Sequence, residues 1–139
     1  MIRSGPQMVD IGVGIQGTIL AMDAPLQLQC VSFSGNSTIT VNCSGTYKLT
    51  FFGNFAFSVD TRLTFYVKAN GTTLSETVIV KDVTGTDLDS FERSVLVHLC
   101  AQTNLIGVVD NATTANGGNA GTLTIPANGV HLQIVRIGS

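Results

Sequence analysis

The sequence predicts an all-β domain, an antiparallel two-sheet jelly-roll sandwich with an extended amino-terminal arm. Three observations predict it. Apolar residues recur at every second position over long stretches, the period of a half-buried strand. Turn-forming dipeptides and Gly/Asn/Thr clusters separate those stretches at short intervals, the spacing of a sandwich or jelly roll. No stretch carries a convincing helical period, so no helix is expected.

Residues 1–20 are apolar and glycine-punctuated and read as the extended arm, with residues 21–139 as the jelly-roll domain. Short strands are expected near Leu26 to Phe33 and Thr38 to Asn42. From Tyr47 to Val59 every odd position is apolar or glycine (Tyr47, Leu49, Phe51, Gly53, Phe55, Phe57, Val59), so one face is core and the other mixed. Gly53 inside that run predicts a bulge or bend. Arg62 to Ala69 repeats the pattern and closes on Asn70-Gly71, the dipeptide that most favours a tight hairpin because both turn residues need positive φ. The return strand is Thr73 to Val80, followed by a polar loop from Lys81 to Ser90. Val95 to Leu99 is apolar on both faces and predicts a strand covered on both sides. Leu105 to Val109, Leu123 to Ile125 and Val130 to Ile137 complete the strands. Asn111 to Gly121 is a surface loop, and Pro126-Ala127-Asn128-Gly129 splits the last two strands.

At 139 residues the chain suits one domain, and a domain of that size buries roughly 68% of its unfolded surface. Charged residues are only 12% of the chain against 44% hydrophobic. A surface so poor in charge points to an oligomer or a partner that covers it. The net charge of -2 and seven scattered cations exclude a nucleic-acid footprint. The chain opens without the basic and apolar regions of a signal peptide, and no run approaches the ~18 apolar residues of a membrane helix, so no membrane is expected. Arrival at an outer surface would then be by lysis, within a particle, or as part of a longer chain. Cys30, Cys43 and Cys100 are an odd count without close spacing. They read as three small buried hydrophobes folded in a reducing cytosol, with one disulfide plus a free thiol as the other arrangement the count allows.

Four segments, in order, carry a family resemblance. Gly45-Thr46-Tyr47 opens the aromatic strand Lys48-Leu49-Thr50-Phe51-Phe52, and Asn70-Gly71 turns the next hairpin. Ser94-Val95-Leu96-Val97-His98-Leu99 stands as a late core strand, and Val130 to Ile137 closes the chain. Over roughly residues 26 to 139 the sequence resembles the TNF/complement-globular-head superfamily, the TNF-like jelly roll, and is most similar to its compact bacterial and phage members. It departs from the family at Ala101-Gln102-Thr103-Asn104, where Gly-Asp is usual. The resemblance implies a homotrimer packed through apolar and aromatic residues on the outer face of one sheet. The candidates are Phe52, Ala56, Leu96, His98 and His131.

Chemical motifs are sparse. Gly12-Val13-Gly14-Ile15-Gln16-Gly17 fits G-x-G-x-x-G in letters only, because Pro25 and the β pattern deny the helix, and no acid follows near position 37. His98 and His131 lack a nucleophile signature such as G-x-S-x-G, so they read as core or interface residues. Asp82, Asp87 and Asp89 lie in a Gly-turned loop that resembles a calcium loop in composition, but the spacing is not that of an EF-hand and a solvated loop is expected. The sequons at Asn36, Asn42, Asn70 and Asn111 matter only in a secretory pathway. Neither an enzyme nor a cofactor or metal site is expected.

The resulting expectation is a non-enzymatic, trimeric structural protein of a virus particle. Its most specific form is a phage capsid decoration (cement) protein, since the resemblance includes phage trimers of that kind. Ile2, Met8, Val9, Ile11, Val13 and Ile15 of the arm would hold it to the major capsid protein or another virion protein. It would fold in the host cytoplasm and reside on the virion surface. The alternative is a receptor- or surface-binding head of a tail fibre or collagen-like filament, on a bacterial cell or spore surface. A soluble cytokine-like ligand is the third reading. No G-x-y repeat or heptad stalk accompanies the domain.

Overall fold

Alternation in the sequence becomes alternation in space. In the computed structural model, which describes residues 6–21, 30–34, 37–126 and 129–138, strand β5 (Gly45–Phe57) buries every odd residue and turns every even one outward. The described residues form β1 (Gln7–Ile11), β2 (Thr18–Ile19), β3 (Val31–Ser34), β4 (Thr38–Val41), β5, β6 (Thr61–Ala69), β7 (Thr72–Thr73), β8 (Ile79–Val83), β9 (Asp89–Leu99), β10 (Thr103–Asn111), β11 (Gly121–Ile125) and β12 (Val130–Gly138). Among them, one sheet runs β1-β11-β5-β12 with β9 on the other edge of β5. The second runs β3-β4-β10-β6-β7, with β2 on β10 and β8 on β6. All pairings are antiparallel.

The core lies between the sheets. Tyr47, Leu49, Phe51, Phe55 and Phe57 from β5 meet Leu63, Phe65 and Val67 from β6, with Leu132 and Ile134 from β12 alongside. At its centre the Phe91 ring stacks on Phe65 at 4.1 Å and meets Phe51 edge-on at 4.9 Å. Such pairs add roughly 0.5–1.5 kcal/mol each beyond area burial.

Several expectations are corrected. Residues 7–19 are extended, as read, but their two strands lie in the sheets of the domain itself: β1 pairs with β11 and β2 with β10. The Gly12–Gly17 run is the crossover between the sheets. Gly14 and Gly17 take positive φ (71° and 73°), and Gly14 N–H donates to Ala112 O at 2.8 Å. Strand β5 passes through Gly53 without a bulge, in register with Phe91 on one side and Val130 on the other. The irregularity sits on the neighbouring strand β12, whose register shifts between Arg136 and Gly138, and a Cβ at Gly53 would overlap Gly129 O. The return strand after Asn70-Gly71 is broken by a 3-10 turn at Ser75–Thr77. Buried Thr77 causes the break: its Oγ1 accepts the Val67 N–H at 2.9 Å and donates to Leu74 O at 2.7 Å, replacing a backbone rung. The polar loop expected over 81–90 is shorter, residues 84–88, because Lys81–Val83 end β8 and Asp89–Ser90 begin β9; Asp82 and Ser90 point outward there, while Lys81 and Asp89 pair with each other.

The cysteines are corrected too. Cys30 and Cys43 form a disulfide with Cα atoms 5.2 Å apart, and Cys100 is free and exposed. The bond closes the β3–β4 hairpin at its open end, a proximity that hairpin pairing creates and residue counting does not. Such bonds persist where surroundings are oxidising. Ile2, Asn36 and the strand expected from Leu26, up to residue 29, lie outside the described residues. Among the described residues no helix is long and apolar enough to cross a membrane.

Candidate interaction face

Inward parity on β5, β9 and β12 leaves a complementary outward set, and the registers align it in rows. Leu96, Lys48 and Val135 form one row, Ser94, Thr50 and Gln133 the next, and Glu92, Phe52 and His131 a third. Leu96 is 63% exposed and Val135 57%. Two branched aliphatic side chains thus flank the Lys48 stem with little cover, an arrangement worth most when something lies on it. In the third row the Phe52 ring stacks on His131, centroids 4.4 Å apart and planes 15° apart. That stack is a flat, preorganised platform whose contact area costs little further side-chain entropy to bury. The middle row is small and polar, tied by a 3.1 Å contact between Thr50 Oγ1 and Ser94 Oγ.

A fourth row was not foreseen. Ala56 pairs with Thr124, and Thr124 with Met8, so β1 extends the same face past β11. Met8 is 72% exposed and borders a shallow hollow with Ala56, Thr86, Thr122 and Thr124. Of the expected interface residues, Phe52, His131 and Ala56 therefore share this face with Leu96. His98 lies on it at the far end, opposite Thr46. Leu96 and His98 are exposed in the protomer, so the strand expected to be covered on both sides is covered on one.

The residues assigned to the arm divide. Ile11 is 1% exposed and belongs to the core, and Val9 packs against it. Met8, Val13 and Ile15 are exposed. Val135 was missed although parity reveals it: with Val130, Leu132 and Ile134 inside, His131, Gln133 and Val135 must point out. Met8 carries no such signal, because its place depends on the β1–β11 register.

Polar side chains elsewhere are engaged in structure. Asp82 pairs with Arg62 at 2.6 Å and Asp89 with Lys81 at 3.4 Å, which places two of the acidic trio on different strands, with Asp87 in the loop between them. The Arg62 hydrogen bond holds the Asp82 carboxyl below its usual range. Asp110 Oδ1 accepts the Gly17 N–H at 2.7 Å and the Tyr66 hydroxyl at 2.8 Å. Burial, followed by that hydrogen bond and the carboxylate charge, pushes the Tyr66 phenol up to about 12. Asn111, 2% exposed, accepts from Thr61 Oγ1 at 2.7 Å and donates to Gly12 O and Asn119 O. Among the described residues no three His, Cys, Asp or Glu side chains are grouped to hold a metal ion.

No protein-family model and no curated protein matches this sequence. Solved structures match over nearly the whole chain. Murine APRIL at pH 5.0 is 14% identical with a TM-score of 0.65, covering 94% of this chain and 98% of that one. Eiger TNF from S. frugiperda is 11% identical with a TM-score of 0.61, covering 99% and 94%. Murine APRIL at pH 8.0 gives 14% and 0.60, covering 95% and 99%. At these identities the likeness establishes the fold, a TNF-like jelly-roll sandwich.

Proposed function

We propose that this chain is a non-enzymatic subunit that assembles as a homotrimer through the outward face of β5, β9 and β12. One observation carries the reading: a face on which Leu96, Val135 and the Phe52–His131 stack are gathered by strand register, with Leu96 and Val135 more than half exposed on the protomer. The low charge content and the TNF-like resemblance support it. Its finer form is a particle-decorating subunit of bacterial or phage type, held to a capsid protein by the exposed residues of the amino-terminal segment, Met8, Val13 and Ile15. The disulfide suits a protein working in oxidising surroundings, such as a particle surface outside the cell.

Leu96→Lys tests the face. Burying a leucine stabilises by roughly 1.5–3 kcal/mol, and most of this one remains to be buried, in three copies per trimer. Val80→Lys is the control, since Val80 is 57% exposed but lies on the opposite sheet. Sedimentation should show the Leu96 variant shifted to monomer and the Val80 variant unshifted. Equal behaviour of the two would reject this face.

A further inference from the structure

We infer that Cys100 and the Cys30–Cys43 disulfide form an intramolecular thiol–disulfide exchange site at one end of the sandwich. The turn that carries Cys100 is fastened on both sides of Cys43. Ala101 N–H donates to Ser44 Oγ at 2.9 Å, and Gln102 N–H donates to Val41 O at 2.6 Å. Leu99, one residue before Cys100, pairs in register with Gly45. Cys30 is held to the same place, because Asn42 N–H donates to Cys30 O at 2.7 Å. Hydrogen bonds of neighbouring residues thus bring the backbone segments that carry the three cysteines together, one of the cysteines an exposed thiol.

The chemistry is balanced without any co-reactant. The Cys100 thiolate attacks Cys43 Sγ, a Cys43–Cys100 bond forms, and the Cys30–Cys43 bond breaks. The bonding pair leaves on Cys30 Sγ, which takes up the proton that Cys100 released. One thiol and one disulfide exist before and after, so nothing is oxidised or reduced overall.

The consequence is structural. In the starting isomer the disulfide closes the β3–β4 hairpin. Strand β3 is an edge strand, paired only with β4 among the described residues, and its Val31 and Phe33 are half-buried. In the exchanged isomer the covalent link instead joins the β4–β5 connection to the β9–β10 turn, and β3 keeps only its hydrogen bonds and packing. Exchange therefore sets how firmly this edge is held, in a reaction that speeds up with thiolate content and so with rising pH.

The sequence supplies a direct assay. No Lys or Arg lies between Arg3 and Lys48, or between Arg93 and Arg136. Trypsin without reduction therefore leaves Cys30 and Cys43 in one peptide (residues 4–48) and Cys100 in another (residues 94–136). The intact protein is held at a pH of about 8.5, near the ordinary thiol pKa. Aliquots are trapped with N-ethylmaleimide and mapped by mass spectrometry. The two peptides should become cross-linked, with label lost from Cys100 and gained on Cys30 in equal measure. The rate should be independent of protein concentration, and Cys100→Ser should abolish the cross-link. Full labelling of Cys100 at all times, without cross-linked peptide, would overturn the inference. So would a cross-link whose rate rises with protein concentration and that appears as disulfide-linked dimer.

Discussion

Phe91→Ala is the sharpest test of how the two sheets are held together. Phe91 is 3% exposed, stacks on Phe65 across the sandwich at 4.1 Å and meets Phe51 on its own sheet at 4.9 Å. Truncating a core phenylalanine costs about 3–5 kcal/mol, and two close ring pairs place this site in the upper part of that range. The surroundings have little means of closing the void. The backbone beside it is Gly53, where a Cβ would already lie 3.1 Å from the Phe91 ring, and β5 is pinned there between β9 and β12. A loss of about 4–5 kcal/mol is roughly a quarter or more of the stability of a typical domain. Equilibrium urea unfolding should show it as a lower midpoint with an unchanged slope. Variant and parent must be compared at one protein concentration, since assembly makes apparent stability concentration-dependent. A loss below about 1 kcal/mol, the size of a surface effect, would refute the packing argument.

Two other sites give independent predictions. Asn111→Ala should cost about 2–4 kcal/mol, because it removes three hydrogen bonds of a buried amide, one of them to the buried Thr61 hydroxyl. Loss of the bond to Gly12 O should also speed hydrogen exchange at the Gly14 and Gly17 amides, which Thr50→Ala on the open face should leave unchanged. Tyr66 should ionise near pH 12 by absorbance titration, and Asp110→Asn should lower that value. The sign for stability follows: between the ordinary phenol value of about 10 and the folded value, the unfolded chain has released the proton and the folded chain has not, so stability should fall as pH rises through that window.

Much of this fold is legible in the sequence where one strand decides its own fate. Tyr47 to Phe57 shows its two faces by parity, Asn70-Gly71 shows its turn through the φ values it needs, and Val130 to Ile134 shows its inner side. Legibility fails where partners decide. Gln7–Ile11 and Thr18–Ile19 are too short, and separated by too glycine-rich a run, to look like strands alone, and they become strands because β11 and β10 offer open edges. Lys81, Asp82 and Asp89 look like loop residues, but Asp82 takes an outward position on a paired strand, and Lys81 and Asp89 neutralise each other across two strands. The candidate face divides the same way. Phe52 and Leu96 are visible as apolar residues of outward parity, whereas the stack of Phe52 on His131 and the alignment of Ala56 with Met8 are products of register. The disulfide is invisible for the same reason: Cys30 and Cys43 are neighbours only because β3 and β4 pair.

The central claim is that the open face of β5, β9 and β12 is closed by two further copies of the chain. The mass of the intact protein in solution, measured by sedimentation equilibrium at micromolar concentration, tests it most directly. The expected mass is three times the 14.6 kDa of one chain. A species of 14.6 kDa with no tendency to associate would contradict it.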